Sequence, residues 1–334
     1  MDQLIQQIPS SDNYAVMQID DVLDIMKRIP VSDNHFGIKE VEQLFVVSGA
    51  TLVIETELSG TPGDYQLIYT FRRQQSIERG VLLVEEVYDG IEQLPLIIAD
   101  KLGVKTPEVA SYHDNIANQL LTQALEQKNA DNFVGAEKYL KSLIAIEPND
   151  LKAKRLLAEV SAYLKKTEQI TQLIESEQFA YSSQAVNANT LINNHRELGR
   201  LRFWQGLNEL QHGRFEQAIA IFTIARNLAN KAQDWLYLGY LAESQGHLYR
   251  HQKQYDLASE YYQSAITNHR IIKCPFGEVN NLLFLADTAF LQNQQVHAKS
   301  LIDKAAQIIQ KRELVTLSEK LEEVLKKYEG QKSI

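Results

Sequence analysis

The 334-residue chain has 44% hydrophobic and 23% charged residues, ordinary values for a globular protein long enough to hold two domains. Its net charge of −9 is concentrated in residues 1–110, which hold 18 acidic and 8 basic side chains against 25 and 26 in the remainder; phosphate repulsion argues against nucleic-acid binding there, and no sustained basic stripe follows. A single cysteine, Cys274, excludes an internal disulfide and most thiolate metal sites, and no run approaches the ~20 apolar residues of a membrane span.

Met1-Asp2-Gln3 does not open a signal peptide. A protein working outside the cytoplasm would carry its export signal or anchor outside these residues. Tyr14 to Ile19 is a short apolar run that reads as a buried strand. Val22 to Ile29 then reads as a helix stopped by Pro30. From Ile38 to Val47, residues Val41, Leu44, Phe45 and Ser48 share one helical face. Three strand-like segments follow. Thr51 to Leu58 alternates, with Leu52, Ile54 and Leu58 on one side. Ser59 to Asp64 is a turn, and Tyr65 to Phe71 places Tyr65, Leu67, Tyr69 and Phe71 on one face. Arg72 to Gly80 reads as a loop before a strand over Val81 to Tyr88. Ile91 to Leu102 closes the domain as a helix on an antiparallel meander.

Beyond residue 108 the pattern changes to a repeat. Ala218, Ala258 and Ala298 sit 40 residues apart. Each has a large side chain four positions on (Phe222, Tyr262, Ile302) and a second alanine three further (Ala225, Ala265, Ala305). A small residue twelve positions before each first alanine (Gly206, Gly246, Ala286) marks a preceding helix. An earlier copy runs through Ala124, Phe133, Ala136, Leu140 and Leu143 and stops at Pro148, with Asn149-Asp150 as a restart. Leu151 to Ala188 is one weaker helix pair. Small–aromatic–small spacing on a helix–turn–helix resembles the tetratricopeptide repeat family over residues 115–330, which implies a continuous stack of helix pairs that holds a partner and performs no chemistry. The reading is therefore α+β: an α/β domain over 1–108, then an all-α superhelix over 109–334.

The order of the first domain carries a second resemblance. A helix ending in Val47-Ser48-Gly49-Ala50, a strand into Leu58-Ser59-Gly60, a strand Asp64-Tyr65-Gln66-Leu67-Ile68-Tyr69, a third strand, and Gly90 to Gly103 follow in turn. This succession is similar to the sensor region of CadC-type (ToxR-like) membrane transcription regulators. It implies a periplasmic sensory domain of an inner-membrane protein, signalling to a winged-helix DNA-binding domain that these residues do not encode. The alternative is a cytoplasmic tetratricopeptide adapter, attached to a kinase or to a helical-repeat transcription activator.

Candidate site residues come from the repeat phase. It puts Arg200, Phe203 and Leu207 on the inner face, with Tyr240, Glu243, His247, Arg250 and His251 from the next repeat. Asn280, Leu283, Asp287 and Phe290 come from the third. Aromatics with both charge signs suit a protein or peptide segment, a membrane protein included; a solvated wall is the bland counterpart. His247 and His251, four apart, would need a third ligand to hold zinc, and repeat phase accounts for them without metal. Arg196, Arg200 and Arg202 read as a solvated helical face, or as an anion site. Asp20, Asp21 and Asp24, with Glu85, Glu86, Asp89 and Glu92, form acidic clusters read as exposed loop ends, or as a pH-responsive feature of the resembled family. No nucleophile, oxyanion loop, phosphate loop or dinucleotide fingerprint accompanies them, so no catalysis and no cofactor is expected. Homodimerisation stays open.

Overall fold

The computed structural model of the protein describes residues 16–29, 38–61, 63–103, 116–175 and 188–330. The chain divides into two compact units, Met1–Asn115 and Ile116–Ile334.

The first unit runs α1 (Ile19–Met26), α2 (Ile38–Ser48), β1 (Val53–Thr61), β2 (Asp64–Arg73), β3 (Ser76–Val84) and α3 (Val87–Leu102). The strands form an antiparallel meander in sequence order. Pairing closes at Thr61↔Asp64 on one side and at Arg73↔Ser76 on the other, so both connections are two-residue hairpins. Leu67, Tyr69 and Phe71 point to one face and pack with Ile54 and Leu82 against Leu94, Ile97 and Ile98 of α3. Gly90 lets α3 approach the sheet closely: a Cβ there would meet Leu67 at 2.9 Å.

Two expectations are corrected here. Val16 to Gln18 precede a helix and form no strand, while Tyr14 and Ala15 lie outside the described residues. Ile19 opens α1, and Asp20 and Asp21 occupy its first turn, where carboxylates complement the helix dipole. The expected loop over Arg72–Gly80 is mostly strand. Gly80 pairs with Tyr69, whose ring lies across it, so that an added Cβ would meet that ring at 2.2 Å. The aromatic supplies the cover that glycine lacks.

The described residues of the second unit build helices and their turns. It contains α4 (Ile116–Asn129), α5 (Phe133–Ile146), α6 (Leu151–Tyr163), α7 (Thr167–Glu175), α8 (Ala188–Gln211) and α9 (Phe215–Lys231). These are followed by α10 (Trp235–His251), α11 (Tyr255–Ile271), α12 (Pro275–Leu291), α13 (Gln295–Arg312), a 3₁₀ turn (Val315–Leu317) and α14 (Ser318–Gly330). Together the units make an α+β protein with a helical-repeat superhelix.

The 40-residue period is two identical steps of 20. Gly213, Gln233, Lys253, Lys273, Asn293 and Glu313 all have left-handed backbone, with φ between 51° and 71°. Each follows a helix end, and the next residue closes it by a six-residue bond, as Gln254 N–H donates to Tyr249 O at 2.9 Å. The same Gln254 accepts from Ala258 N–H at 3.0 Å and so caps the following helix. One residue ends one helix and starts the next, which leaves no slack in the turn.

Packing within each hairpin follows a size rule. Ala218, Phe222 and Ala225 are fully buried, as are Ala258, Tyr262 and Ala265, and Ala298, Ile302 and Ala305. A Cβ on Gly206 would meet the Phe222 ring at 2.4 Å, and one on Gly246 the Tyr262 ring at 2.6 Å. Where the large residue is the smaller Ile302, the opposite position is alanine, Ala286. Ring and glycine, or isoleucine and alanine, fill the same space.

Candidate functional site: the first-helix face of the stack

In the hairpins α8/α9, α10/α11 and α12/α13 the first helices lie side by side, and α14 extends the row beyond α12. Residues 40 apart therefore occupy equivalent places: Arg200, Tyr240, Asn280 and Lys320 in one row, Leu207, His247, Asp287 and Lys327 in another.

Between α10 and α12 these rows make a half-buried polar network. Glu243 accepts from Asn281 Nδ2 at 2.7 Å and lies 3.8 Å from His247 Nε2. His247 Nδ1 and the Tyr262 hydroxyl are 2.7 Å apart. The His247 ring meets Phe284 edge-on, with centroids 4.4 Å apart. Arg250 pairs with Asp287, which also takes Lys327 from α14. Lys320 stands 3.9 Å over the Phe284 ring and donates to Asn280 Oδ1 at 2.5 Å.

Ionisation follows from this arrangement. Burial alone would raise the Glu243 carboxyl, but hydrogen bonds from His247 and Asn281 and the charges of His247 and His269 outweigh it and hold it below the ordinary value. Burial pushes the Tyr262 hydroxyl up. Burial lowers the Lys320 amine against the opposing pull of Glu243 and Glu323. The His269 ring fits a slot between two glycines: a Cβ on Gly239 would meet it at 2.7 Å, and one on Gly277 at 2.4 Å. Tyr240 lies against the same ring at 5.8 Å.

The structure places the expected groove residues in three settings. Tyr240, Glu243, His247, Arg250, Asn280 and Asp287 are half-buried on the α10–α12 face. Arg200 and Phe203 are not on an open surface. Arg200 is 2% exposed, pairs with Asp234 at 2.7 Å and lies 4.3 Å over Tyr237, because Asp234 caps α10 and draws the guanidinium into the seam. Phe203 is buried in the aromatic core with Phe222 and Tyr237. His251 is exposed and packs on Phe215 of α9, so it and His247 serve different elements. The arginine cluster is no solvated face either: Arg196 is buried and donates to Asn193 at 2.8 Å.

The acidic clusters also differ from the expectation of exposed loop ends. Asp20 and Asp21 are buried in the first turn of α1, and Asp24 is half-buried. Glu85, Glu86 and Asp89 are exposed at the start of α3, where the Glu86 backbone N–H donates to Asp89 Oδ2 at 3.4 Å.

Two sets of residues escaped the sequence reading. Phe284, Asn281, Lys320 and Lys327 belong to the network, and the signal for the lysines was present, since 320 and 327 are 280 and 287 advanced by one period. The second set is a buried ion chain: Lys128 (α4) pairs with Glu159 at 2.8 Å, Arg155 with Glu159 at 3.4 Å, and Arg155 with Glu197 (α8) at 2.9 Å.

No protein-family model and no curated protein matches the chain. Among solved structures it is similar to the apo form of RapI, with a TM-score of 0.53 and 14% identity over 64% of this chain and 77% of that one. A Rap protein complexed with competence and sporulation factor gives 0.53 and 16% over 72% and 69%. A signal-transduction ATPase with a tetratricopeptide repeat sensor from Pyrococcus horikoshii gives 0.51 and 16%, over 70% of this chain and 33% of that one. At these identities the likeness is one of fold, and the fold is the tetratricopeptide-type helical stack.

Proposed function

We propose that the chain is a non-enzymatic binding module whose first-helix face holds a protein or peptide segment. One observation carries this reading. On two adjacent repeats Glu243 pairs with His247 and Arg250 with Asp287, all four half-buried, and Tyr240 and Asn280 are half-buried on the same two helices. Side chains held in place by neighbours and still partly open lose little entropy on meeting a partner, and Tyr and Arg are the types that most often dominate binding energy. The likeness to a Rap protein solved with a bound factor lends the same reading support from fold alone.

The test is selection of a displayed library of random peptides on the full chain, repeated on the Tyr240→Ala/Arg250→Ala variant. Enriched peptides are expected to lose roughly tenfold or more in affinity for the variant. Peptides that bind both chains equally, with the variant melting as the parent does, would remove this face from consideration.

A more specific reading makes the chain the periplasmic sensory part of a membrane-anchored transcription regulator. The helix–meander–helix order of α2, β1–β3 and α3 ahead of a repeat stack favours it. In that reading the acidic residues at the starts of α1 and α3, Asp20, Asp21, Glu85, Glu86 and Asp89, belong to the sensing part. The adapter reading has the broader support, because it needs only the helical unit. The full-length gene product separates them: a winged helix and one apolar span favour the sensor, and a kinase domain or no span favours the adapter.

A further inference from the structure

The helix α14 stands one period beyond α12, in the place of a next first helix. Its hold on the stack is of a different kind from that of the other helices. Leu314 and Leu317 are buried at its root, yet no residue from Ser318 to Lys327 is buried. Its polar grip is two cations seven residues apart. Lys320 is seated over the Phe284 ring and on Asn280, and Lys327 is on the Asp287 carboxylate that Arg250 shares. Half-exposed pairs of this kind contribute little each. A shallow cleft open to solvent lies beneath it among Ala286, Asp287, Phe290, Ile302, Val324 and Lys327.

The receiving surface on α12 is thus built for a helical cation pair: an aromatic face and an amide for the first charge, a carboxylate two turns on for the second. Glu243 extends the negative side, since its charge acts on Lys320. We propose that this α12 face docks a helical segment of a partner that carries cations at i and i+7, and that α14 is the resident stand-in which such a segment displaces. This rests on the binding-module reading and specifies its partner. Tethering at Leu314 and Leu317 keeps α14 at high effective concentration, so a partner must match its two charges and outbid its tether.

The experiment uses the full chain and a labelled synthetic peptide of residues 315–330. In the Lys320→Ala/Lys327→Ala chain the resident helix is weakened, and the peptide is expected to bind at least roughly tenfold tighter than to the parent chain. A peptide with both lysines replaced by alanine, and the same chain carrying Asp287→Asn as well, should each lose that binding. Hydrogen exchange should show α14 amides faster in the double variant while α10–α13 stay protected, which controls for folding. Equal affinity in parent and double variant, no binding to either, or binding that survives loss of the peptide's lysines would overturn the proposal. Library peptides that still depend on Tyr240 and Arg250 would then leave the wider reading standing.

Discussion

Charged side chains are used in two ways along the helical stack. Near its start, Lys128, Glu159, Arg155 and Glu197 form a chain across α4, α6 and α8 in which Arg155 is 0% exposed. Near its end, Arg250, Asp287, Lys327, Glu243 and His247 pair across α10, α12 and α14 while staying half-open to solvent. The first group is buried almost completely, and each charge depends on its partner to offset the lost hydration. The second keeps part of its hydration, so its pairs can be exchanged for a ligand's at small cost. The same residue types therefore hold the scaffold in one region and present a surface in the other.

The largest expected effect lies in the first group. Arg155→Met leaves Glu159 and Glu197 buried without their guanidinium and is expected to cost about 3–5 kcal/mol in urea unfolding. Replacing Lys128, Arg155, Glu159 and Glu197 together by apolar residues of similar volume should recover most of that loss, because no unpaired charge then remains. A single substitution that proves neutral would show that these ions are not the structural element assigned to them.

Next come the hairpin seams beneath the open face. Gly246→Ala adds a methyl 2.6 Å from the Tyr262 ring. Although alanine favours helix by about 1 kcal/mol, overpacking is expected to win and lower stability by about 1–3 kcal/mol. The double variant Gly246→Ala/Tyr262→Ile reproduces the Ala286–Ile302 seam and should regain at least half of the loss on thermal melting. Ala258→Phe, also at a fully buried site, should cost a similar amount.

A pH effect is smaller. The Glu243 carboxyl is held below its ordinary 4.5 in the folded chain. Its contribution is therefore complete above that value and is lost as pH falls through the folded one. Glu243→Gln should flatten the fall in unfolding midpoint between neutral and acid conditions. An unchanged acid limb would count against the network around His247. Smallest of all, Lys327→Ala should change stability by no more than about 1 kcal/mol, as a pair with a half-exposed lysine does. A loss comparable to that of Arg155→Met would erase the distinction between the two regions.

The repeat was readable because small and large side chains must recur where helices touch, and no other feature of the chain demands a 40-residue period. Helix ends were harder to read. Of the six left-handed turn positions only Gly213 and Asn293 are residue types that favour that backbone, while Gln233, Lys253, Lys273 and Glu313 adopt it under the constraint of the stack. Gly80 misled for the opposite reason: a glycine that normally breaks a strand is covered by a cross-strand tyrosine. The ion chain was invisible because its partners come from three helices far apart in sequence, and Lys152 to Glu159 alone reads as a polar helix. For the candidate face, phase alone found the right row of positions. It could not tell that Asp234 draws Arg200 into the seam, nor that Phe203 belongs to the aromatic core.

On the proposed function, the face of α10 and α12 receives a polypeptide. Hydrogen exchange on the full chain, with and without a library-selected peptide, tests it most directly. Slowed exchange is expected in α10 and α12, with α14 released to faster exchange. Slowed exchange in β1–β3 and α3, with α10 and α12 unchanged, would contradict it and move binding to the first unit.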